Sequence, residues 1–249
     1  MATVAPAPAK GRPRVGVSAH PDLPAPEQIL RAAARLFVDC GYDATSTRAI
    51  AAAVGIRQAS LYYHFASKAD ILAELLSRTV APSLDAAERL LADDRDPAVR
   101  LHELVTVDCR LLLEAPANVG ALYLLPEVRA ERFADFRAQR SRLRDAYGAL
   151  VEHAAAPGAA LGPLDVLTDV VFGLVESVIG VRGRGPSGGQ DATVGGGQDA
   201  TVCADGGARA VPDSEALVTT VARSVLRVLG WDEDGLARVE RTSGARPRA

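Results

Sequence analysis

Three short apolar stripes at helical spacing fill residues 29–65, and they constrain the fold more than any other feature of the chain. Ile29, Ala33 and Phe37 recur every four residues, with Leu30, Ala34 and Leu36 beside them, which predicts a helix from Pro26 onward. Gly41 stops it. Thr45, Ser46 and Thr47 then offer hydroxyl caps to a second helix carrying Ile50 and Val54, which Gly55 ends. A third runs from Arg57 to His64, with Leu61 and Phe65 four apart on one face. Ser67 caps a fourth, with Asp70 at the spacing of a capping box. Helices this short cannot hold a large core, but they can form one compact trihelical module.

The rest of the sequence extends the helical pattern. Amphipathic stretches fall near 68–81, 97–115, 118–125, 127–156, 163–181 and 213–229, with Pro97, Pro126, Pro163 and Pro212 at or near their starts. No run of alternating β-branched residues interrupts them, so the expected fold is all-α. Residues 1–24, rich in Pro, Ala and Gly with three spaced cations, read as a flexible basic arm, either an untidy terminus or a contact to DNA phosphates or a minor groove. The module occupies 25–70 and a larger helical body 71–230. Within the body, 182–211 reads as a flexible loop because the polar heptapeptide GGQDATV occurs there twice, too few copies for a solenoid. A disordered tail is expected at 231–249.

The chemistry concentrates on the third helix. With Leu61 and Phe65 turned inward, Arg57, Gln58, Ser60, Tyr63 and His64 face outward. Tyr62 stands at the boundary, open to packing on the first helix or to a phosphate contact. A cation, an amide, hydroxyls and an imidazole on one face suit base edges and phosphate oxygens, and Ala59 leaves room for close approach. His64 is open to a second use, capping its own helix, and Arg48 on the second helix is either a solvated charge or a contact. A short helix, a tight turn and a second short helix form a helix-turn-helix, whose second helix enters the major groove. Thr47 starts the preceding helix, where a hydroxyl and backbone N–H can meet phosphate. Lys68 places a cation where the helix dipole of the fourth helix prefers an acid, a conflict a bound phosphate would remove. Charge is distributed accordingly: residues 1–81 hold nine cations against six acids, although the whole chain carries −3.

The stretch ILRAAARLFVDCGYDATSTRAIAAAVGIRQASLYYHFASKADILAELL, Ile29 to Leu76, resembles the DNA-binding domain of the TetR family of regulators. It joins LF, GY and T, then IA and G, then LYYHF and SK in order and at the family's spacing. The resemblance implies an all-α homodimer with an N-terminal helix-turn-helix and a ligand-binding and dimerisation body. Such a protein usually represses transcription until a small-molecule effector releases it from a palindromic double-stranded DNA operator. Regulation without a ligand, control by a protein partner, and activation are the alternatives. It places DNA contacts on Thr47, Arg48, Arg57, Gln58, Ala59, Ser60, Tyr62, Tyr63, His64 and Lys68. Relatives often carry a Ser or Thr cap and then Lys-Gly where this chain has Arg57, Gln58 and Ala59. The recognition helix thereby loses a side-chain cap worth about 1 kcal/mol and gains two groups able to read bases.

Leu164, Leu167, Val171, Leu174, Val178 and Val181 step as a heptad seam, and Leu217, Val221, Val225 and Val228 form a second stripe. Homodimerisation is expected through these last two helices, 164–181 and 213–229, as a four-helix bundle. Within the body, the pocket candidates are His102, Cys109, Tyr123, Phe133, Tyr147, Phe172 and Glu176. The four histidines are scattered, and GxSxG, HExxH and paired-cysteine spacings are missing from the sequence, so no enzyme, cofactor or metal is expected. Three widely spaced cysteines give no disulfide framework, and Cys40 and Cys109 read as small buried hydrophobes. With no apolar run long enough to span a bilayer, a cytoplasmic protein is expected.

Overall fold

The computed structural model describes residues 22–183 and 213–244, all of whose regular structure is helical. Both GGQDATV copies, nearly all of the N-terminal arm and the last five residues lie outside the described residues. The head comprises α1 (Ala25–Asp39), α2 (Thr47–Val54) and α3 (Gln58–His64). Gly41 and Gly55 adopt φ of 88° and 74°, left-handed values that cost glycine nothing and turn the chain sharply between helices. Ser46 caps α2 and Ser67 caps the helix that follows the head, each hydroxyl accepting from the backbone N–H three residues on, at 3.1 Å in both cases. Thr45 instead donates its hydroxyl to the carbonyls of Leu36 and Gly41, fastening the α1–α2 turn. Ile29, Phe37, Ile50, Val54 and Leu61 close the small core.

The body packs α4 (Lys68–Leu91), α5 (Pro97–Glu114), α6 (Ala134–Val151), α7 (Leu164–Gly183), α8 (Ser214–Val228) and α9 (Glu233–Gly244). Four expectations need correction. The fourth helix continues past residue 81 through Pro82, because Leu84, Ala87 and Leu90 prolong its buried stripe while the proline ring faces solvent. It therefore spans the 70/71 boundary as one rod shared by head and body. The stretch expected as one helix over 127–156 opens instead as short 3₁₀ turns at Pro126–Arg129 and Glu131–Phe133 before α6 begins. Arg137 donates to the carbonyls of Val128 and Ala130 there, bonds an α-helical turn would have kept for itself.

The third correction concerns the tail expected to be disordered at 231–249, which contains α9. Leu236 and Val239 are buried, the Trp231 indole donates to the Ala154 carbonyl at 2.8 Å, and Arg223 pairs with Glu233 and Glu240. The fourth concerns Cys40, which is half-buried rather than buried, whereas Cys109 is buried and free.

Part of the expected dimer seam turns inward. Val171 and Val178 on α7, and Val221 and Val225 on α8, fill the subunit's own core. A neighbouring stripe of α7 stays uncovered instead: Val166 and Val170 are 52% and 42% exposed, and a Cβ added at Gly173 or Gly180 would meet nothing within 4 Å.

Candidate nucleic-acid interface and effector cleft

Helix α3 gives only Leu61 to the core. Arg57, Gln58, Ala59, Ser60, Tyr62, Tyr63 and His64 are all exposed, with Tyr63 at 86% and Tyr62 at 48%. Arg57 occupies the N-cap position, where its guanidinium, a donor only, cannot cap the free N–H groups of the helix, and its side chain is exposed. The Tyr63 and His64 rings meet edge to face at 5.1 Å. Arg48 on α2 is exposed as well.

A hydroxyl and amide cluster ties this helix to α2. The Gln58 amide donates to Thr47 Oγ1 at 2.8 Å, and the Tyr62 hydroxyl lies 3.1 Å from the same oxygen. Thr47, Gln58 and Tyr62 thus form one connected group across the turn between α2 and α3. Tyr62 resolves as a bridge to α2 rather than a ring packed on α1.

Lys68 is committed internally. Its ammonium donates to the Tyr42 carbonyl at 2.7 Å and the Asp43 carbonyl at 3.4 Å, and lies 4.1 Å from the centre of the Tyr42 ring. The conflict with the α4 dipole is met by these carbonyl oxygens, with no phosphate needed. Lys68 holds the α1–α2 connection onto the start of α4.

The seven pocket candidates in the body do not share one cavity. A cleft of about 640 Å3 opens between α6, α7 and the 3₁₀ turn Val119–Leu124. Tyr123 and Glu176 line it, whereas Phe172 lines a small enclosed void together with Asp108, Tyr123, Arg140 and Glu176. His102 lies at the α5–α9 contact, its Nδ1 3.1 Å from the Ser243 hydroxyl, and burial pulls its pKa down. Cys109, Phe133 and Tyr147 are core residues, with burial driving the Cys109 thiol well above its ordinary range.

Sequence reasoning passed over Arg140 and Asp108. Arg140 grips Glu176 with both prongs, at 2.6–2.9 Å, and its guanidinium lies 5.0 Å from the centre of the Phe172 ring. Asp108 is fully enclosed, accepting from the Ser83 hydroxyl at 2.7 Å and the Tyr147 hydroxyl at 3.0 Å. Burial pushes its pKa up to about 6 against the pull of those two hydroxyls, with Glu176 adding to the rise. Its signal was present in the sequence: an acid in line with Leu101, Leu104 and Val105 on the buried face of α5. The Tyr123 hydroxyl donates to Thr79 Oγ1 at 2.6 Å, so the cleft wall touches α4, the rod that carries the head. Among the described residues, no cluster of His, Cys, Asp or Glu could hold a metal ion, and no helix is long and apolar enough to cross a membrane.

Residues 29–75 match the family described as bacterial regulatory proteins, tetR family. The structure is similar to that of Mycobacterium smegmatis AmtR, at 42% identity and a TM-score of 0.73, covering 93% of this chain and 100% of the other. The HTH-type transcriptional repressor KstR2 of Rhodococcus jostii is 28% identical over 164 residues, 65% of this chain and 80% of the relative. AibR, solved in complex with isovaleryl coenzyme A and operator DNA, shares the fold at 19% identity and a TM-score of 0.58, covering 81% of this chain and 97% of the other.

Proposed function

The chain belongs to the TetR family of bacterial transcriptional regulators, and from that premise we propose that it is a homodimeric, cytoplasmic repressor that an effector releases from a palindromic operator. It is a DNA-binding regulator, not an enzyme. The observation that carries the proposal is the division of α3, which spends Leu61 on folding and presents every other side chain to solvent.

In this reading α3 lies in a major groove. Arg57 is exposed, with no partner for its guanidinium among the described residues, and reads a base edge, most naturally the O6 and N7 of guanine. Tyr63, with His64 against it, grips the phosphate backbone. The Thr47–Gln58–Tyr62 cluster positions α3, and Thr47 and Tyr62 can turn hydroxyls to phosphate once Gln58 moves to a base. Arg48, Ala59 and Ser60 complete the contact face. Lys68 adds positive charge near the backbone while holding the head together.

The uncovered α7 stripe supports dimerisation, because Val166 and Val170 offer apolar surface and Gly173, about one turn further on, lets a second helix approach closely. Two heads related by a two-fold axis then meet two half-sites. The cleft supports effector control: an occupant touching Tyr123 acts on Thr79 and so on α4, whose tilt sets the separation of the heads. AibR, a neighbour in fold solved with both isovaleryl coenzyme A and operator DNA, is in keeping with this reading.

Fluorescence anisotropy on operator duplexes tests the reading. Tyr63→Ala is expected to weaken binding at least tenfold without changing the thermal midpoint, and affinity should fall steeply with salt. Wild-type affinity in Tyr63→Ala would overturn this placement of α3.

A further inference from the structure

The α6–α7 cleft carries a charge pattern that goes further than its position. Its walls hold Arg129, Arg137 and Arg140 against a single acid, Glu176, in a chain whose net charge is −3. A concave, largely apolar wall concentrates the field of such cations. Tyr123, Leu125, Val128 and Phe136 supply that wall, with the Tyr123 and Phe136 rings 5.2 Å apart. The volume, about 640 Å3, falls within the usual range for small-molecule sites.

Arg137 is occupied by the carbonyls of Val128 and Ala130 and contributes charge only. Arg129 is exposed at the rim. Arg140 already holds a carboxylate, that of Glu176, in a two-pronged grip half open to solvent. Glu176 is the protein's own stand-in for an anionic group at that place.

We infer that this cleft binds an amphipathic organic anion whose charged group displaces Glu176 from Arg140 while its apolar part lies along Tyr123 and Phe136. The inference rests on the effector reading above. A neutral hydrophobe would leave the walls' net positive charge unanswered, and a cation would meet its repulsion. Exchange of one carboxylate for another keeps the guanidinium paired, and the cost falls on the displaced Glu176, a quarter exposed, which must turn to solvent. It also frees α7 from α6 at Glu176.

The test uses the full chain and the fluorescent organic anion 1-anilinonaphthalene-8-sulfonate, with octanoate, octanol and octylamine as competitors. Saturable binding displaced by octanoate, and not by octanol or octylamine, is expected. Arg140→Gln and Arg129→Glu should each weaken the probe about fivefold or more, and Glu176→Gln should tighten it by a similar factor. Equal probe affinity in all three variants, or octanol competing as well as octanoate, would overturn the inference. Should Arg140→Gln fail to fold, Arg129→Glu at the exposed rim decides the question. Operator binding measured with saturating octanoate separates the two readings. Octanoate bound in the cleft with DNA affinity unchanged keeps the ligand class and removes effector release. DNA release by octanol, with no anion binding, removes the ligand class and keeps effector release.

Discussion

Replacing Asp108 by Asn should make the protein more stable at neutral pH, and the gain should depend on pH. Asp108 is enclosed with two hydroxyl donors and no cation in contact, and its pKa rises from 3.8 to about 6 on folding. A raised carboxyl pKa means that the folded state favours the protonated form. The stability tied to that proton is fully present below pH 3.8, falls between pH 3.8 and about 6, and is gone above that. The whole penalty is about 3 kcal/mol at pH 8, of which about 1.4 kcal/mol develops between pH 5 and pH 8. Asn is always neutral, can still accept from Ser83, and can donate to Tyr147 as a protonated carboxyl would. Relative to Asp108→Asn, the wild type should therefore lose about 1.4 kcal/mol from pH 5 to pH 8, or about 3–6 °C in Tm at fixed protein concentration. Urea unfolding of both proteins across that range measures it. A wild-type-minus-variant difference that stays constant with pH, or a variant less stable than wild type at pH 8, would refute the claim that burial of this charge outweighs its hydrogen bonds.

Three further outcomes follow from particular contacts. Lys68→Met removes two bonds to backbone carbonyls, so it should cost about 1–2 kcal/mol in urea unfolding as well as DNA affinity; a purely electrostatic role would leave stability unchanged. Gly120→Ala would set a Cβ 2.7 Å from the Ile179 side chain and should cost about 1–3 kcal/mol, with Ile179→Ala in the same chain recovering part of it. Val170→Arg should give a folded monomer by sedimentation velocity, with unchanged circular dichroism and much weakened operator binding, since one head alone meets only a half-site.

The head was legible because its signals are local. Glycines at positive φ end the turns, Ser46 and Ser67 cap the helices they precede, and Leu61 fixes which way α3 faces. The body was less so because tertiary contacts decide it. The fourth helix was expected only to residue 81, but the ring of Pro82 faces solvent and the helix keeps its buried stripe. Helix α9 depends on Trp231 reaching Ala154 and on Arg223 meeting Glu233 and Glu240, pairings set only by the packed fold. The valines of α7 illustrate the limit most clearly. Periodicity identified an apolar helix, but it did not say which stripe turns inward, and Val171 and Val178 went to the core while Val166 and Val170 stayed out. Gln58 and Lys68 were legible as polar contacts. Their partners, Thr47 and the Tyr42 carbonyl, required the folded turn.

That α3 reads an operator as one half of a symmetric pair is tested most directly by selecting bound duplexes from a random pool with the wild type and Arg57→Ala in parallel. The wild type should enrich an inverted repeat, and Arg57→Ala should lose base preference at one position in each half-site while keeping the rest. A pool with no enriched repeat would contradict the dimeric reading, and identical preferences in the two proteins would contradict the assignment of Arg57 to the bases.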